Sequence, residues 1–263
     1  MKYAFMTFSC PKLPWGEVLA LARRCGYDGV EPRIGSGHAH GLELSTPAAA
    51  RKQAAVAAAG AGVAICCVAT SCRFADPQLN EAMLAEARGA IDLAGDLGCP
   101  RLRVFGGKLG EGLSREQATG LVAKCLAGLA DQAAARGVTL CMETHDLWCN
   151  PEHVAEVMRR VNHPAVGVNW DIMHPVRFEG WDMAAAFEVL RPWIRHVHFH
   201  DGGPEGDNYV LKPVGTGQID HRTAVRLLRQ AGLDVFLSGE WIAWSDGYEV
   251  HLPRELAAMK GYE

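Results

Sequence analysis

Short apolar, strand-like runs alternate with amphipathic or alanine-rich segments along the whole chain of 263 residues. The runs lie at residues 3–9, 28–32, 63–69, 101–106, 138–143, 166–171, 195–199 and 235–240. This alternation predicts a parallel sheet with helical crossovers, because parallel strands need connections long enough to hold a helix. Eight such units close a (β/α)8 TIM barrel of about 250 residues. With no linker or low-complexity tract, the sequence predicts an α/β fold in which residues 1–263 form one barrel domain.

Several helix starts are marked by residues that cap the first turn. They are the capping-box pair Ser114 and Gln117, Asn150 before Pro151, Asp220 before an amphipathic segment, and Thr46 before Pro47. The last of these opens an alanine-rich helix that we expect to end at Gly60. These signals place helices between the predicted strands.

Four polar residues in the second half of the chain each stand at the end of an apolar run. They are Glu143, Asp171, His198 and Glu240, separated by 28, 27 and 42 residues, which is about one strand–helix unit each with a longer last loop. Barrel chemistry is located at the C-terminal ends of the strands. Three carboxylates and one imidazole meeting there predict a site for one divalent metal ion, Mn²⁺, Mg²⁺, Co²⁺ or Zn²⁺.

Strand alternation supports an inward direction for these side chains. In the run IRHVHFHD, His196, His198 and His200 share one face, while Val197 and Phe199 share the other. The apolar pair can pack against the outer helices, so the histidines are expected to point into the barrel. Buried histidines require polar partners or a ligand.

Other polar or aromatic residues follow the predicted strands in the loops where barrels bind their ligands. The candidate substrate contacts are Glu31, His38, Lys108, His145, Trp148, His174 and His200. His174 follows Asp171 by three residues and is either a substrate contact or the first residue of a helix. We expect the first six of these residues, Glu31 to His174, to line the mouth of the pocket.

Composition and missing motifs exclude several functional classes. The net charge is -4 and no Lys/Arg run occurs, so neither nucleic acid nor an anionic membrane is expected as a partner. The nine cysteines include no CxxC pair, which predicts reduced, buried thiols in a cytoplasmic protein and no zinc–thiolate site. No P-loop, GxGxxG or GxSxG motif is present. The oligomeric state is not fixed, and a homo-oligomer is compatible with the sequence.

The motifs resemble those of the xylose-isomerase-like barrel family of sugar phosphate isomerases and epimerases. The shared segments are GYDGVE, METH, WDIMH, HVHFHD, PVGTGQID and GEW, and the resemblance covers nearly the whole chain. It implies that Glu143 and Glu240 face each other across the substrate and combine metal binding with acid–base catalysis. Ketose epimerases of this family have an Arg shortly after the strand-seven His, whereas the stretch DGGPEGDN here has none.

Three functional hypotheses follow from this pattern. The first is a metal-dependent isomerase or epimerase that acts on a keto-sugar or related polyol through an enediolate. The alternative is a dehydratase or lyase of a keto-cyclitol or keto-sugar, similar to inosose or dehydroshikimate dehydratases, in which His145, His200 or Lys108 expels a β-hydroxyl. The third is a sugar-binding barrel without chemistry, against which the intact set of four ligands argues.

Overall fold

The computed structural model describes residues 1–263, and its main feature is a ring of parallel strands. The strands are β1 (Lys2–Met6), β2 (Gly29–Glu31), β3 (Ala64–Ile65), β4 (Val68–Arg73), β5 (Arg101–Phe105), β6 (Thr139–Glu143), β7 (Val166–Asp171), β8 (Ile194–Phe199), β9 (Asp201–Glu205), β10 (Asn208–Lys212) and β11 (Phe236–Gly239). Nine of them form one sheet in the order β3-β2-β1-β11-β8-β7-β6-β5-β4, with every neighbouring pair parallel.

The third strand of the barrel is divided into two pieces. β3 pairs with β2 and β4 pairs with β5, and Cys66 and Cys67 separate the two pieces. A single parallel bridge between Arg33 and Ala69 joins the chain after β2 to β4. Counted as one position, β3 and β4 give the eight positions of a nearly closed TIM barrel, which confirms the predicted fold class.

Nine helices accompany the strands. They are α1 (Trp15–Cys25), α2 (Ala48–Ala61), α3 (Asn80–Asp96), α4 (Arg115–Ala135), α5 (Pro151–Val161), α6 (His174–Glu179), α7 (Met183–Leu190), α8 (His221–Gln230) and α9 (Tyr248–Lys260). None of them combines the length and the apolar composition that crossing a bilayer requires.

Three of the four predicted caps are present. Ser114 and Gln117 exchange the two hydrogen bonds of a capping box at α4, Asn150 caps α5 and Asp220 caps α8. The prediction for α2 was wrong in detail. The Thr46 hydroxyl bonds to loop backbone instead of to the helix, and α2 continues past Gly60 to Ala61.

The apolar face of each strand packs outward against the helices. The Trp170 ring lies 5.6 Å from that of Phe187 in α7, and the Phe199 ring lies 4.7 Å from that of His221 in α8. Burying one such side chain contributes about 1.5–3 kcal/mol. A register slip of one residue would exchange the two faces, so this packing fixes the alternate residues toward the barrel interior.

No sequence pattern predicts the antiparallel hairpin β9–β10, which follows β8 directly. Its first strand, DGGPE, lacks apolar alternation. The buried carboxylate of Asp201 holds the base of the hairpin to the loop that follows it. This carboxylate accepts backbone N–H groups from Gly202, Gly215, Gly217 and Ile219 at 2.8–3.2 Å. Such long-range backbone contacts cannot be read from local periodicity.

Candidate metal centre

Glu143, Asp171, His198 and Glu240 converge inside the barrel at the C-terminal ends of the strands. Each offers a ligand atom, and the four atoms lie within 4.8 Å of one another. Strand register explains this arrangement, because Asp171 pairs with His198 across β7 and β8, and Ser238 pairs with His198 from the other side. Glu240 stands two residues beyond Ser238 and therefore points to the same side.

His198 is at the centre of the cluster. Its Nδ1 lies 2.9 Å from Oε1 of Glu143 and 3.3 Å from Oε2 of Glu240. Its Nε2 lies 3.2 Å from Oε1 of Glu31 on the opposite edge of the ring. The side chains of His198, Glu143 and Glu31 are completely buried. Water is therefore excluded from these interactions, which strengthens their electrostatic component.

Two fully buried carboxylate oxygens of the cluster accept no hydrogen bond. Asp171 Oδ1 accepts the backbone N–H groups of Met173 and His174, but Oδ2 has no donor. His200 Nε2 lies 2.8 Å from that Oδ2 without the angles of a hydrogen bond. Glu143 Oε2 also accepts no hydrogen bond, although the Nε of Arg103 lies 3.3 Å away. Buried oxygens without a donor are costly, and three carboxylates with one imidazole are a suitable donor set for a divalent cation. The residues present therefore fit such an ion.

The charges of the cluster depend on one another. Burial raises the pKa of Glu240, but the positive charge of His198 outweighs it and lowers that pKa to about 2. Burial likewise opposes ionisation of Asp171. His174 and His200 outweigh this effect and hold the pKa of Asp171 well below its usual range. Burial lowers the pKa of His198, whereas Glu143, Glu31 and Glu240 together raise it well above its ordinary value. The carboxylates thus require positive charge beside them.

Three of the predicted substrate contacts form a row of rings next to Asp171. The ring centroids of His145 and His174 are 4.6 Å apart, and those of His174 and His200 are 5.6 Å apart. His174 is also the first residue of α6, which is the second of the two roles predicted for this position. His145 is half-buried; burial opposes its protonation, but the Asp146 carboxylate, 3.0 Å from its Nδ1, prevails and raises its pKa to about 9. Imidazoles therefore line one side of the carboxylate cluster.

Two other candidates, His38 and Lys108, lie in loops after β2 and β5. The His38 Nδ1 is 3.0 Å from the Thr7 hydroxyl, and the ring is half-buried against Phe8. Lys108 is exposed. Neither residue forms a hydrogen bond or an ion pair with the four converging residues. Their contact with substrate stays a prediction.

Glu31 and Trp148 do not lie at the mouth of the pocket, where we expected them. Both are fully buried. The Glu31 carboxylate is occupied by two histidines, and the indole N–H of Trp148 donates to the Gly107 carbonyl at 2.9 Å. A Cβ at Gly106 would overlap the Trp148 ring, so the glycine allows this close packing. These positions give no support to a direct contact with substrate.

Arg103 is a site residue that the sequence analysis missed. Its Nε lies 3.3 Å from Glu143 Oε2, its Nη1 donates to the Thr70 carbonyl, and its guanidinium covers the Phe105 ring at 4.1 Å. Alternation in RLRVF sets Arg103 opposite the apolar residues Leu102 and Val104. The rule that we applied to the histidines would therefore have found it.

A sequence profile described as "Xylose isomerase-like TIM barrel" matches residues 19–261. The chain belongs to this family. This finding confirms the resemblance drawn from the motifs. Solved structures that are similar to this chain include an epimerase and a probable dehydratase.

Individual proteins resemble this chain at low sequence identity. A 3-dehydroshikimate dehydratase from Bacillus anthracis is 26% identical over 115 residues, a match that spans 43% of this chain and 41% of that protein. The structure of the probable 3-DHS dehydratase AsbF from Bacillus anthracis aligns with a TM-score of 0.82 and 20% identity over 99% of both chains. The 3-keto-D-glucoside 4-epimerase YcjR from E. coli aligns with a TM-score of 0.80 and 15% identity over 99% of both chains. Similar structures also include one in complex with magnesium and one with a bound zinc atom.

We predict that replacing Arg103 with Met lowers the free energy of unfolding by about 3 kcal/mol, because it removes one partner of a buried ion pair. Urea denaturation measures the loss. Arg136→Met is the control, since Arg136 is one-third exposed and pairs with Asp92 and Asp96 on the surface, where a loss below about 1 kcal/mol is expected. The double variant Arg103→Met/Glu143→Gln should lose less than the sum of its single variants. Additive losses, or equal losses for the two arginines, would contradict the pairing.

Proposed function

We propose that this protein is a divalent-metal-dependent isomerase or epimerase of a keto-sugar or related polyol that works through an enediolate. The observation that carries the proposal is the convergence of two carboxylates on one imidazole nitrogen. Glu143 ends β6 and Glu240 follows β11, yet their oxygens lie 2.9 and 3.3 Å from the same Nδ1 of His198. Two bases from different parts of the ring can therefore reach one small substrate.

In this proposal one divalent ion, Mn²⁺, Mg²⁺, Co²⁺ or Zn²⁺, is held by Glu143, Asp171, His198 and Glu240. The oxygens without donors on Glu143 and Asp171 support this assignment. When bound, the ion supplies Lewis acidity that polarises a carbonyl and stabilises the negative charge that develops beside it.

The side chains perform the proton transfers. One of Glu143 and Glu240 removes the proton from the carbon next to the substrate carbonyl, and burial of both keeps water from competing. If the other carboxylate carries a proton when the substrate binds, its transfer of that proton to the opposite face gives an epimer. Return of the removed proton by the same carboxylate to the neighbouring carbon gives an isomer. Arg103 fixes Glu143, and the row His145, His174 and His200 offers hydrogen bonds to substrate hydroxyls.

A dehydratase is the second candidate, and two observations favour it. The curated relative from Bacillus anthracis is a 3-dehydroshikimate dehydratase, and imidazoles stand beside the carboxylates. The first step would be the same proton removal, after which a general acid expels a β-hydroxyl as water. Of the three acids considered, His145 and His200 lie in the row beside Asp171, whereas Lys108 is exposed. The geometry therefore favours a histidine as the acid.

Metal binding tests the cofactor assignment. Protein purified without chelator should contain about one equivalent of divalent metal by elemental analysis, since one four-ligand site is formed. Asp171→Asn and His198→Ala should each lose it, because each removes a ligand. His163→Ala is the control, since that histidine lies in a loop near Asp131 and outside the cluster. Full occupancy in both ligand variants would refute the assignment.

Solvent exchange tests the chemistry. Metal-loaded protein is incubated in D₂O with a panel of ketoses, keto-sugars and inososes, and the products are weighed by mass spectrometry. We expect a product heavier by one deuterium, and a rate at least about 100-fold lower in Glu143→Gln and Glu240→Gln. A product about 18 Da lighter, the mass of the water expelled by the general acid, would select the dehydratase. A near wild-type rate in Glu240→Gln would contradict the mechanism with two carboxylates. Metal binding without exchange on any substrate would favour a binding protein.

A further inference from the structure

The carboxylate of Glu31 joins two histidines of β8 across the interior of the barrel. Its Oε2 lies 2.8 Å from Nε2 of His196, and its Oε1 lies 3.2 Å from Nε2 of His198. All three side chains are completely buried. In the sheet, β1 and β11 separate β2 from β8, so these contacts cross the ring and do not follow a strand pair.

We propose that Glu31 is a positioning residue that fixes the tautomer and ring orientation of His198, an inference that rests on the proposed metal-dependent function. A carboxylate can only accept hydrogen bonds, so the Nε2 atom that faces Glu31 carries the proton. Without a metal the other nitrogen also faces carboxylates and carries a proton too, but a cation bound among the four converging residues would displace that proton and take up the freed lone pair. That nitrogen is Nδ1, which faces Glu143 and Glu240. Glu31 thus makes His198 a ligand through Nδ1.

His196 holds the Glu31 carboxylate in place. With Oε2 bound to His196 and Oε1 bound to His198, rotation of the carboxylate would break both hydrogen bonds in a site that is buried from bulk solvent. His196 does not belong to the four converging residues. His196 therefore acts on the cluster by holding the Glu31 carboxylate in place. An outer partner that orients a metal-binding histidine typically changes metal affinity about 10–100-fold when it is removed.

Glu31, Cys66 and His196 also lie close enough to suggest a second cation site, since their ligand atoms are within 4.8 Å of one another. The contacts favour the positioning role instead. The Cys66 thiol donates to the Val30 carbonyl at 3.3 Å, and both Glu31 oxygens are occupied by imidazoles.

The test compares Glu31→Gln with Glu255→Gln. Glu255 is equally buried, but it accepts the Val214 N–H and pairs with Arg254 outside the cluster, so it is a matched control. Zn²⁺ affinity is measured by competition with a chelating dye. Glu31→Gln should bind Zn²⁺ about 10–100-fold more weakly than the wild type, whereas Glu255→Gln should bind it unchanged. Equal affinities in both variants would overturn the proposal.

The tautomer is measured directly by ¹⁵N NMR of histidine-labelled protein, with His198→Ala assigning the signal. In wild-type protein, both metal-free and with Zn²⁺, Nε2 of His198 should carry a proton, and Nδ1 should be the nitrogen that shifts on metal binding. This measurement does not need a folded Glu31→Gln variant. A wild-type His198 that is unprotonated at Nε2 would overturn the proposal.

The two readouts separate this inference from the proposed function. Wild-type protein that binds no divalent cation, but whose His198 carries the Nε2 proton, would refute the metal-dependent function and leave the orienting contact standing. Wild-type protein that binds Zn²⁺ through Nε2, or equally well after Glu31→Gln, would refute the role of Glu31 and leave the metal-dependent function standing.

Discussion

Several carboxylates are buried around one histidine at the C-terminal ends of the strands. The rest of the structure at this end of the barrel depends on that constraint. Glu31, Glu143 and Glu240 all approach His198, and each is at most 5% exposed. An uncompensated buried charge costs several kcal/mol. Positive charge from His198 and Arg103 reduces that cost. We infer that the same negative cluster creates the demand for a divalent cation.

A barrel interior is normally filled with branched apolar side chains. Here the outward faces of the strands carry the apolar packing, as the contact between Trp170 and Phe187 shows. The interior can therefore hold charged groups whose positions are set by the rigid ring.

The two candidate reactions share a base and differ only in what happens after proton removal. The row of imidazoles beside Asp171 is the feature on which that difference depends.

Much of this arrangement could be predicted from the sequence. The strand runs, the caps at Ser114, Asn150 and Asp220, and the convergence of the four strand-end residues follow from periodicity and spacing, which are local properties. The inward direction of the three histidines on β8 follows from alternation, and the same rule applied to β5 would have revealed Arg103.

What the sequence could not supply depends on contacts between distant segments. Glu31 can contact His198 only because the ring of strands closes and brings β2 opposite β8. The hairpin β9–β10 has no apolar period and is tied by Asp201 to backbone more than ten residues away. The burial of Trp148 depends on the absence of a side chain at Gly106, in another loop.

The most direct test of the account is the position of a bound cation in crystals grown with Mn²⁺, found by anomalous diffraction. We predict one peak within about 2.5 Å of oxygens of Glu143, Asp171 and Glu240 and of Nδ1 of His198, with Glu31 outside the coordination sphere. A peak held by Glu31, Cys66 and His196, or no peak among these residues at saturating Mn²⁺, would contradict it.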